Sequence, residues 1–416
     1  MTVLHVDANS AYLSWTAVSL LEKGYSQDIR CVPSVIAGDP KNRHGIILAR
    51  SIPAKQCGIR TGDSLFEAGQ KCPQILVFPP DYDLYLSCSE AMYQILLQYS
   101  PFVQRFSIDE CFVDLAGGEA WCKSPQKSAY RLKERIKDEL GFTVNIGVGR
   151  NKLLAKMAGE LQKPDMVHTL LEHRELEEKL WPLPVRELFM VGRSSEQKLK
   201  KININTIGEL AKSDPILLRS LLKSHGQLIW EYANGIDRDR VVCNDQVMQK
   251  GLSNGMTLPR DVTDRQEAEH YILALTDRVT GRLRRHGCKA SLIGIAVKTS
   301  GFIRYSHQMQ LPFCLDDTTR IYEYLRRLFA ECWRGEPVRQ ISVYLTGLVR
   351  RDQYQLSIFD LQQTEEDEAL NRAVDQIRER FGQTAIYRGT FVNTDMKPLE
   401  GGVNDGNYMM MGGYRQ

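Results

Sequence analysis

The order of the apolar segments between residues 1 and 150 restricts the fold of this chain. Once the segment at 11–79 is set aside, short β-forming runs and longer runs with helical periodicity follow one another as strand, helix, strand, strand, helix and strand. This order is typical of the split βαβ, or ferredoxin-like, arrangement. We therefore expect an α+β fold in which the hairpin at 103–115 lies beside the strand that ends at Asp7.

The remaining segments predict further domains. Residues 11–79 combine one helix, two β-rich runs around a Gly-Asp-Pro turn and two short helices, as a small inserted subdomain would. Residues 170–240 are predicted to be mostly helical, and a helix at 265–285 among strand-like runs predicts a second α+β domain. The tail is predicted to contain one amphipathic helix. Its apolar face would consist of Leu370, Val374, Ile377 and Phe381.

Charge is unevenly distributed along the 416 residues. The whole chain has a net charge of +3, but residues 351–416 carry 7 basic and 11 acidic side chains, and residues 251–350 carry 15 basic and 10 acidic ones. A basic body with an acidic tail suits a polyanionic partner that contacts the body and not the tail. An ordinary solvated surface would give the same totals, so charge alone leaves both interpretations open.

The sequence argues against two other classes of protein. It has no run of 18 uncharged apolar residues, and its first residues lack the apolar core of a signal peptide, so we expect a cytoplasmic protein with no membrane partner. The ten cysteines include no CxxC pair, which argues against a zinc knuckle or a thioredoxin-type site. They are expected to be reduced thiols.

Three carboxylates are the strongest candidates for chemistry. Asp7 stands at the end of a predicted strand, and Asp109 and Glu110 are adjacent within the predicted hairpin. Adjacent acids among apolar residues repel each other and lose solvation unless a cation neutralises them. Oxygen ligands suit Mg²⁺ or Mn²⁺, and two such ions can activate a hydroxyl and stabilise a leaving pyrophosphate. The alternative is an acidic pair exposed at the end of a hairpin.

Three motifs in collinear order resemble those of one enzyme family. They are VDANSAY at 6–12, SIDECFVD at 107–114 and GVGRNKLLAK at 147–156. The chain resembles the Y-family DNA polymerases over at least residues 1–350, and the UmuC-like and DinB-like bacterial enzymes most closely. The resemblance implies an α+β, multidomain right-hand polymerase with a ferredoxin-like palm, small fingers, a helical thumb with a helix-hairpin-helix, and an α+β little finger.

The resemblance also implies domain boundaries and a metal site. The palm would comprise residues 1–10 and 80–168, the fingers 11–79, the thumb 169–240, a linker 241–250, the little finger 251–350 and a tail 351–416. Asp7, Asp109 and Glu110 would be catalytic and would hold two Mg²⁺ ions, which Mn²⁺ can replace. The backbone carbonyl of Ala8 would be a further ligand.

The nucleotide site follows from the same resemblance. Tyr12 matches the aromatic steric gate that excludes a 2′-hydroxyl, and Lys55 and Lys163 match cationic contacts to the triphosphate. On the residues alone, Tyr12 could equally be a core residue of its helix, and an isolated lysine is most often solvated. The chain departs from the family pattern at Ala11, Thr16 and Ile52-Pro53, which alters the expected shape of the nucleotide pocket.

Two regions are candidates for DNA contacts. A helix-hairpin-helix presents backbone N–H groups to a phosphate without reading bases, although a plain helical hairpin would have the same pattern. The basic domain at 251–350 resembles the family's little finger, which supplies salt-sensitive phosphate contacts. The candidate residues are Gly192, Arg193 and Lys198 in the first region and Arg282, Arg284 and Arg285 in the second.

Residues 355–359 resemble the peptide that binds the bacterial sliding clamp. Such a segment would place its side chains in preformed pockets and tether the polymerase, whereas an edge strand is the alternative. The contacting residues would be Gln355, Leu356, Ile358 and Phe359.

The sequence therefore predicts a template-directed, low-fidelity DNA polymerase that performs translesion synthesis. It would act as a monomer on primer-template DNA and deoxynucleoside triphosphates, together with the clamp; the need for an accessory subunit is left open. Two alternatives remain. A nucleotidyl cyclase would turn over nucleotide without DNA, and a non-catalytic DNA- and clamp-binding repair factor would retain the fold alone.

Overall fold

The computed structural model describes residues 2–39, 45–117, 124–243, 250–351 and 365–392. They form two compact units, the first with residues 2–38 and 46–243 and the second with residues 250–351 and 365–392. Among these residues, no helix has the length and apolar character needed to span a membrane.

The first unit contains both strands and helices. Its strands are β1 (Val3–Ala8), β2 (Ser34–Ala37), β3 (Ile47–Arg50), β4 (Leu76–Phe78), β5 (Val103–Arg105), β6 (Glu110–Asp114), β7 (Val144–Gly149) and β8 (Val167–Leu170). Its helices are α1 (Ala11–Glu22), α2 (Ile52–Gln56), α3 (Leu65–Lys71), α4 (Tyr82–Leu97), α5 (Pro125–Leu140), α6 (Lys152–Glu160), α7 (His173–Glu175), α8 (Arg193–Lys200), α9 (Ile207–Lys212), α10 (Pro215–Leu222) and α11 (Ser224–Ala233).

β1 is the central strand of a five-stranded sheet with the order β5-β6-β1-β7-β8. It pairs antiparallel with both β6 and β7. The order β5-β6-β1-β7 is the ferredoxin-like arrangement predicted from the sequence, with the hairpin beside β1. β8 adds an edge strand parallel to β7. The sequence did not predict it, because a four-residue run with two polar residues gives little strand signal.

The β5–β6 hairpin is tighter than predicted. The sequence places Glu110 in the turn, whereas the structure has it as the first residue of β6, directly opposite Asp7 on β1. The backbone N–H groups of Phe106 and Ser107 both donate to the Glu110 carbonyl, at 2.9 and 3.2 Å. These bonds close the turn before Glu110 and bring its side chain into the sheet.

A three-stranded sheet with the order β3-β2-β4 accounts for most of the segment predicted as an insertion. Its small core combines residues of β2, β3, α2 and α3. Ser51 begins α2 by accepting a hydrogen bond from the Ala54 N–H at 3.1 Å. Residues 173–233 are mostly helical, as predicted, and their core includes Leu153 and Leu154 of α6.

The second unit is a four-stranded antiparallel sheet with helices on one face. Its strands are β9 (Gly251–Val262), β10 (Cys288–Thr299), β11 (Arg304–Leu315) and β12 (Val338–Arg350), in the order β11-β10-β12-β9. Its helices are α12 (Arg265–Arg285), α13 (Thr318–Cys332) and α14 (Glu365–Phe381). The sequence predicted α12, β10, β11, β12 and α14, but not β9 or α13. The apolar residues of α12 and α13 share one core with alternate strand residues such as Ile293 and Ile295.

The apolar face predicted for α14 is only partly buried, with Val374 and Ile377 half-buried. The same face includes Leu370 and Phe381, which are 65% and 66% exposed. The inward side of the helix also carries polar residues. Asn371, Asp375 and Arg378 contact residues of α12 or of the segment before α13. Ion pairs and hydrogen bonds therefore fix this helix, and the apolar pattern does not show which side is buried.

Candidate active site

A cleft of about 620 Å³ lies in the first unit. The three predicted carboxylates, Asp7, Asp109 and Glu110, line it together with the predicted nucleotide-binding residues. The latter are Tyr12, Lys55 and Lys163. The structure thus brings together every predicted metal and nucleotide residue of the first unit, including Ala8.

Strand pairing places the three acids at one end of the five-stranded sheet. Asp7 and Glu110 are cross-strand partners. The Ala8 N–H donates to the Asp109 carbonyl at 3.0 Å, which holds the hairpin turn against the end of β1. Facing residues of an antiparallel pair have Cβ atoms about 5 Å apart, so the register itself gathers negative charge here.

Two glycines of the third motif allow α6 to lie directly on this sheet. A Cβ at Gly147 would be 1.9 Å from the Ala155 backbone oxygen, and one at Gly149 would be 2.2 Å from the Ala155 backbone nitrogen. No other residue fits at that approach. Asn151 begins the helix by accepting from the Leu154 N–H at 2.9 Å. The motif therefore fixes where the lysines of α6 lie relative to the acids.

Glu110 is held by two donors that the sequence did not reveal. Its Oε2 atom accepts from His5 Nε2 at 3.1 Å and from Lys156 Nζ at 2.6 Å. Burial alone would raise the pKa of Glu110, but His5 and Lys156 outweigh it and lower that pKa to about 2. Burial, and then the nearby Lys156 charge, lower the pKa of His5. Glu110 is therefore ionised.

Asp7 and Asp109 are less well compensated. Burial raises the pKa of Asp7 to about 7 although Lys163 pairs with it, and Glu110 and Asp109 add to the rise. Burial also raises the pKa of Asp109, which accepts a hydrogen bond from Ser107 Oγ at 2.5 Å. Uncompensated negative charge at a buried site favours binding of a cation.

The donor set fits a hard divalent cation. Carboxylate oxygens, with a backbone carbonyl as an additional ligand, are the donors that Mg²⁺ prefers. Within the described ranges, no three acidic, histidine or cysteine side chains converge closely enough to enclose a metal ion. The Asp7 and Glu110 carboxylates contact Lys163 and Lys156 instead.

The cationic side of the cleft is larger than predicted. Lys163 contacts both Asp7 and Glu160, and these ion pairs raise its pKa despite the opposing effect of burial. Arg30 and Arg50 also line the cleft, beside the predicted Lys55. Neither arginine was predicted from the sequence. Their positions, directly before and after the β-rich runs of the insertion, could have indicated that they lie near the cleft.

Tyr12 lies in the cleft and belongs to an aromatic cluster. Its ring stacks on that of Tyr85, with centroids 4.3 Å apart and 6° between the planes. Thr16, one of the departures from the family pattern, bonds the Tyr85 hydroxyl at 3.0 Å. The departure therefore anchors the residue beneath Tyr12.

The predicted DNA contacts have different outcomes. Gly192, Arg193 and Lys198 are exposed at the start of α8 and along it, as a phosphate contact would require. In the second unit Arg285 is exposed, and Arg282 donates to the Ser253 carbonyl at 3.2 Å. The prediction for Arg284 is wrong. Its side chain is 7% exposed and forms a two-bond ion pair with Asp375, at 2.6 and 2.9 Å.

The open face of the second sheet offers other cations. Strand alternation places Val297 in the core and Lys298 on the opposite face, directly across from Arg304. Both residues line a cleft of about 310 Å³ whose lining residues come from β10, β11 and β12. The predicted clamp-binding residues Gln355, Leu356, Ile358 and Phe359 lie outside the described residues.

Sequence profiles of known families match most of the chain. The profile of the impB/mucB/samB family matches residues 6–160, that of its C-terminal domain matches residues 249–358, and the IMS family HHH motif matches residues 173–204. A protein named DNA polymerase IV from Clostridium acetobutylicum is 45% identical over 396 residues, or 95% of this chain and 99% of the relative. A DNA polymerase IV from Pelotomaculum thermopropionicum is 36% identical over 93% of this chain and 94% of its own.

Solved structures share the fold. A Y-family DNA polymerase chimera gives a TM-score of 0.71 at 18% identity, covering 84% of this chain and 100% of the other. An insertion ternary complex of Dbh DNA polymerase gives 0.59 at 17% identity, with the same coverage. The right-hand fold expected from the sequence, with a ferredoxin-like palm, is confirmed.

Proposed function

Because the chain belongs to the impB/mucB/samB family of Y-family DNA polymerases and is a DNA-directed DNA polymerase, we propose that it extends primers by two-metal-ion nucleotidyl transfer and copies past damaged template bases. The observation that carries this proposal is a single cleft lined by three carboxylates and four cationic side chains. The relatives named DNA polymerase IV and the fold shared with a ternary complex support primer-template DNA and deoxynucleoside triphosphates as its substrates.

The acids would hold the metal ions. Asp7, Asp109 and Glu110, with the Ala8 carbonyl, would bind two Mg²⁺ ions, which Mn²⁺ can replace. When bound, these ions lower the pKa of the primer 3′-hydroxyl and stabilise the charge of the leaving pyrophosphate. In the reaction the 3′-oxygen forms a bond to the α-phosphorus as the bond to pyrophosphate breaks. Burial of the carboxylates supports this role, because it strengthens their attraction to a cation.

The cations would orient the triphosphate. Lys163 stands beside Asp7, and Lys55 and Arg50 come from α2 and β3 across the cleft. Fixed positive charge compensates the charge that moves towards pyrophosphate during transfer. We infer that Arg50 joins the two predicted lysines in this task.

Tyr12 would exclude ribonucleotides. Its ring lines the cleft next to the acids and is supported from behind by Tyr85. A 2′-hydroxyl would meet this aromatic surface, whereas a deoxyribose would pack against it.

The other regions would hold DNA and the clamp. In this proposal the domain boundaries are those expected from the sequence. The helix-hairpin-helix at Gly192, Arg193 and Lys198 and the little finger would contact backbone phosphates, with Lys298 and Arg304 as additional residues. Residues 355–359 would bind the sliding clamp.

The decisive experiment is primer extension with Mg²⁺ on undamaged and abasic templates. We expect the unaltered protein to extend both, and Asp109→Ala and Glu110→Ala to abolish extension while DNA binding persists. Asp138→Ala, at an exposed position of α5, is the matched acidic control and should be fully active.

Three other results would contradict the proposal. Nucleotide consumption without DNA would indicate a cyclase. DNA binding without extension, even with Mn²⁺ and the clamp, would indicate a non-catalytic factor. Extension that stops at every abasic site would contradict the proposed translesion synthesis but not the polymerase activity. Leu356→Ala with Phe359→Ala should abolish stimulation by the clamp and leave extension without it unchanged.

A further inference from the structure

His5 lies on the same face of β1 as Asp7, because residues two apart on a strand point the same way. On the neighbouring strand β6, His5 is opposite Phe112, and Asp7 is opposite Glu110. His5 and Glu110 are therefore diagonal neighbours across the strand pair, a separation that long side chains can bridge. His5 therefore contacts a proposed metal ligand but does not itself line the cleft.

The His5 ring is fixed from both sides. It is fully buried, and the Phe112 ring lies against it with centroids 4.9 Å apart. On the side of Nδ1, the Gly159 backbone comes so close that a Cβ there would be 3.3 Å from that nitrogen. Nδ1 has no hydrogen-bond partner in the described part of the chain. Nε2 therefore carries the ring proton, and this N–H group donates a hydrogen bond to Glu110.

Both donors to Glu110 reach the same oxygen. His5 Nε2 and Lys156 Nζ donate to Oε2, and among the described residues no side chain donates a hydrogen bond to Oε1. Two donors from different elements, β1 and α6, fix the rotation of the carboxylate plane as well as its position. One oxygen is committed to the protein and the other remains for a ligand.

We propose that His5 is a positioning residue that, together with Lys156, presents Glu110 to the metal as a ligand through Oε1 alone. This inference rests on the proposed function, since it requires Glu110 to be a metal ligand. Residues that hydrogen-bond to metal ligands fix their orientation, and their loss typically weakens metal binding by about 10- to 100-fold. The competing interpretation is that His5 is a core residue for which Glu110 is only a convenient partner.

The test measures metal binding without turnover. The full chain is bound to a primer ending in a dideoxynucleotide, with the matching deoxynucleoside triphosphate, and Mn²⁺ affinity is measured by electron paramagnetic resonance. We expect His5→Phe, which keeps the volume and loses the donor, to weaken Mn²⁺ binding about tenfold. His5→Gln, which keeps an N–H donor, should recover much of that loss. Leu4→Val is the control for stability, because Leu4 is a buried residue of β1 on the opposite face.

The outcomes separate this inference from the proposed function. If the unaltered protein binds no Mn²⁺, or Asp109→Ala binds it equally well, the metal site and this inference both fail. If the unaltered protein binds Mn²⁺ and both His5 variants bind it equally tightly, His5 is a core residue and only this inference fails. His5→Gln also serves if His5→Phe does not fold. A loss of affinity in Leu4→Val as large as in His5→Phe would assign the effect to stability and overturn the inference.

Discussion

The Tyr12 and Tyr85 rings are stacked with their centroids 4.3 Å apart, and they join α1, the helix that follows β1, to the long helix α4. Tyr85 is fully buried and bonds Thr16, one turn beyond Tyr12 on the same helix. The position of the proposed steric gate is therefore set by two residues that do not line the cleft.

Replacing Tyr85 should weaken sugar discrimination although Tyr12 is still present. An aromatic pair contributes about 0.5–1.5 kcal/mol beyond burial, so we expect Tyr85→Leu to lower the preference for deoxynucleotides over ribonucleotides by about three- to tenfold. Tyr12→Ala should lower it further. The measurement is the ratio of kcat/KM for the two nucleotides. Tyr130→Leu, at an exposed position, should leave the ratio unchanged, and an unchanged ratio in Tyr85→Leu would show that the stack has no such role.

Asp7 should make stability depend on pH. Its pKa is raised from 3.8 to about 7, so between these values the folded protein holds a proton that the unfolded chain has released. Stability conferred by that proton is lost as pH rises towards 7. Without Mg²⁺ we expect Asp7→Asn to raise the melting temperature most at pH 8, less at pH 5, and little below pH 4.

Addition of Mg²⁺ supplies the second arm of that experiment. The ion should raise the melting temperature of the unaltered protein at pH 8, because it binds the folded state. It should raise that of Asp7→Asn much less. Equal melting temperatures for both proteins across this pH range would refute the assignment of uncompensated charge to Asp7.

Gly147 should tolerate no side chain. A methyl group there would overlap the Ala155 backbone oxygen, so Gly147→Ala must displace α6 or prevent folding. We expect a loss of more than about 3 kcal/mol in the free energy of unfolding, measured with urea. Gly69→Ala is the control. Gly69 is inside α3 with nothing within 4 Å of a Cβ, so this change should stabilise the protein by about 0.5–1 kcal/mol.

The ion pairs beneath α14 should matter more than its apolar residues. Asp277 and Arg378 form a 2.6 Å pair with side chains 7% and 5% exposed, and removing one partner of such a pair costs about 3–5 kcal/mol. We expect Asp277→Ala to lower the melting temperature of the second unit markedly. Leu370→Ala and Phe381→Ala should change it little, because both side chains are exposed. The reverse ranking would show that the apolar face is buried after all.

The cations on the open face of the second sheet should contribute to DNA affinity. Lys298→Ala and Arg304→Ala should each reduce the slope of log affinity against log salt by about 1. Arg284→Gln should leave that slope unchanged, because the Arg284 guanidinium is already ion-paired with Asp375. Fluorescence anisotropy with labelled primer-template at several salt concentrations measures all three.

The acids of the site could be predicted from the sequence because the motifs that contain them resemble those of a known family. Their partners could not. The contact of His5 with Glu110 depends on which residue of β6 lies diagonally across from it. The contact of Lys156 depends on how closely α6 approaches the sheet. The available signals were indirect: His5 is two residues before Asp7 on one strand, and Gly147 and Gly149 directly precede the helix that carries Lys156.

The fold shows the same division. Long periodic segments such as α12 were predicted with the correct bounds, 265–285. The short, half-polar strand β8 was not predicted, because its strand conformation depends on pairing with β7. α14 was predicted as a helix, but Leu370 and Phe381 of its predicted apolar face are exposed, because hydrophobic periodicity does not register ion pairs between distant residues.

In the proposed reaction, the division of charge in the cleft would separate orientation of the nucleotide from selection of its base. The carboxylates come from β1 and the β5–β6 hairpin, whereas Arg50 and Lys55 come from the three-stranded sheet and its helix. In that reaction, the negatively charged triphosphate of a nucleotide would lie towards Arg50 and Lys55 before its base pairs with the template. These charges would orient the triphosphate, and the choice of base would be left to the template strand.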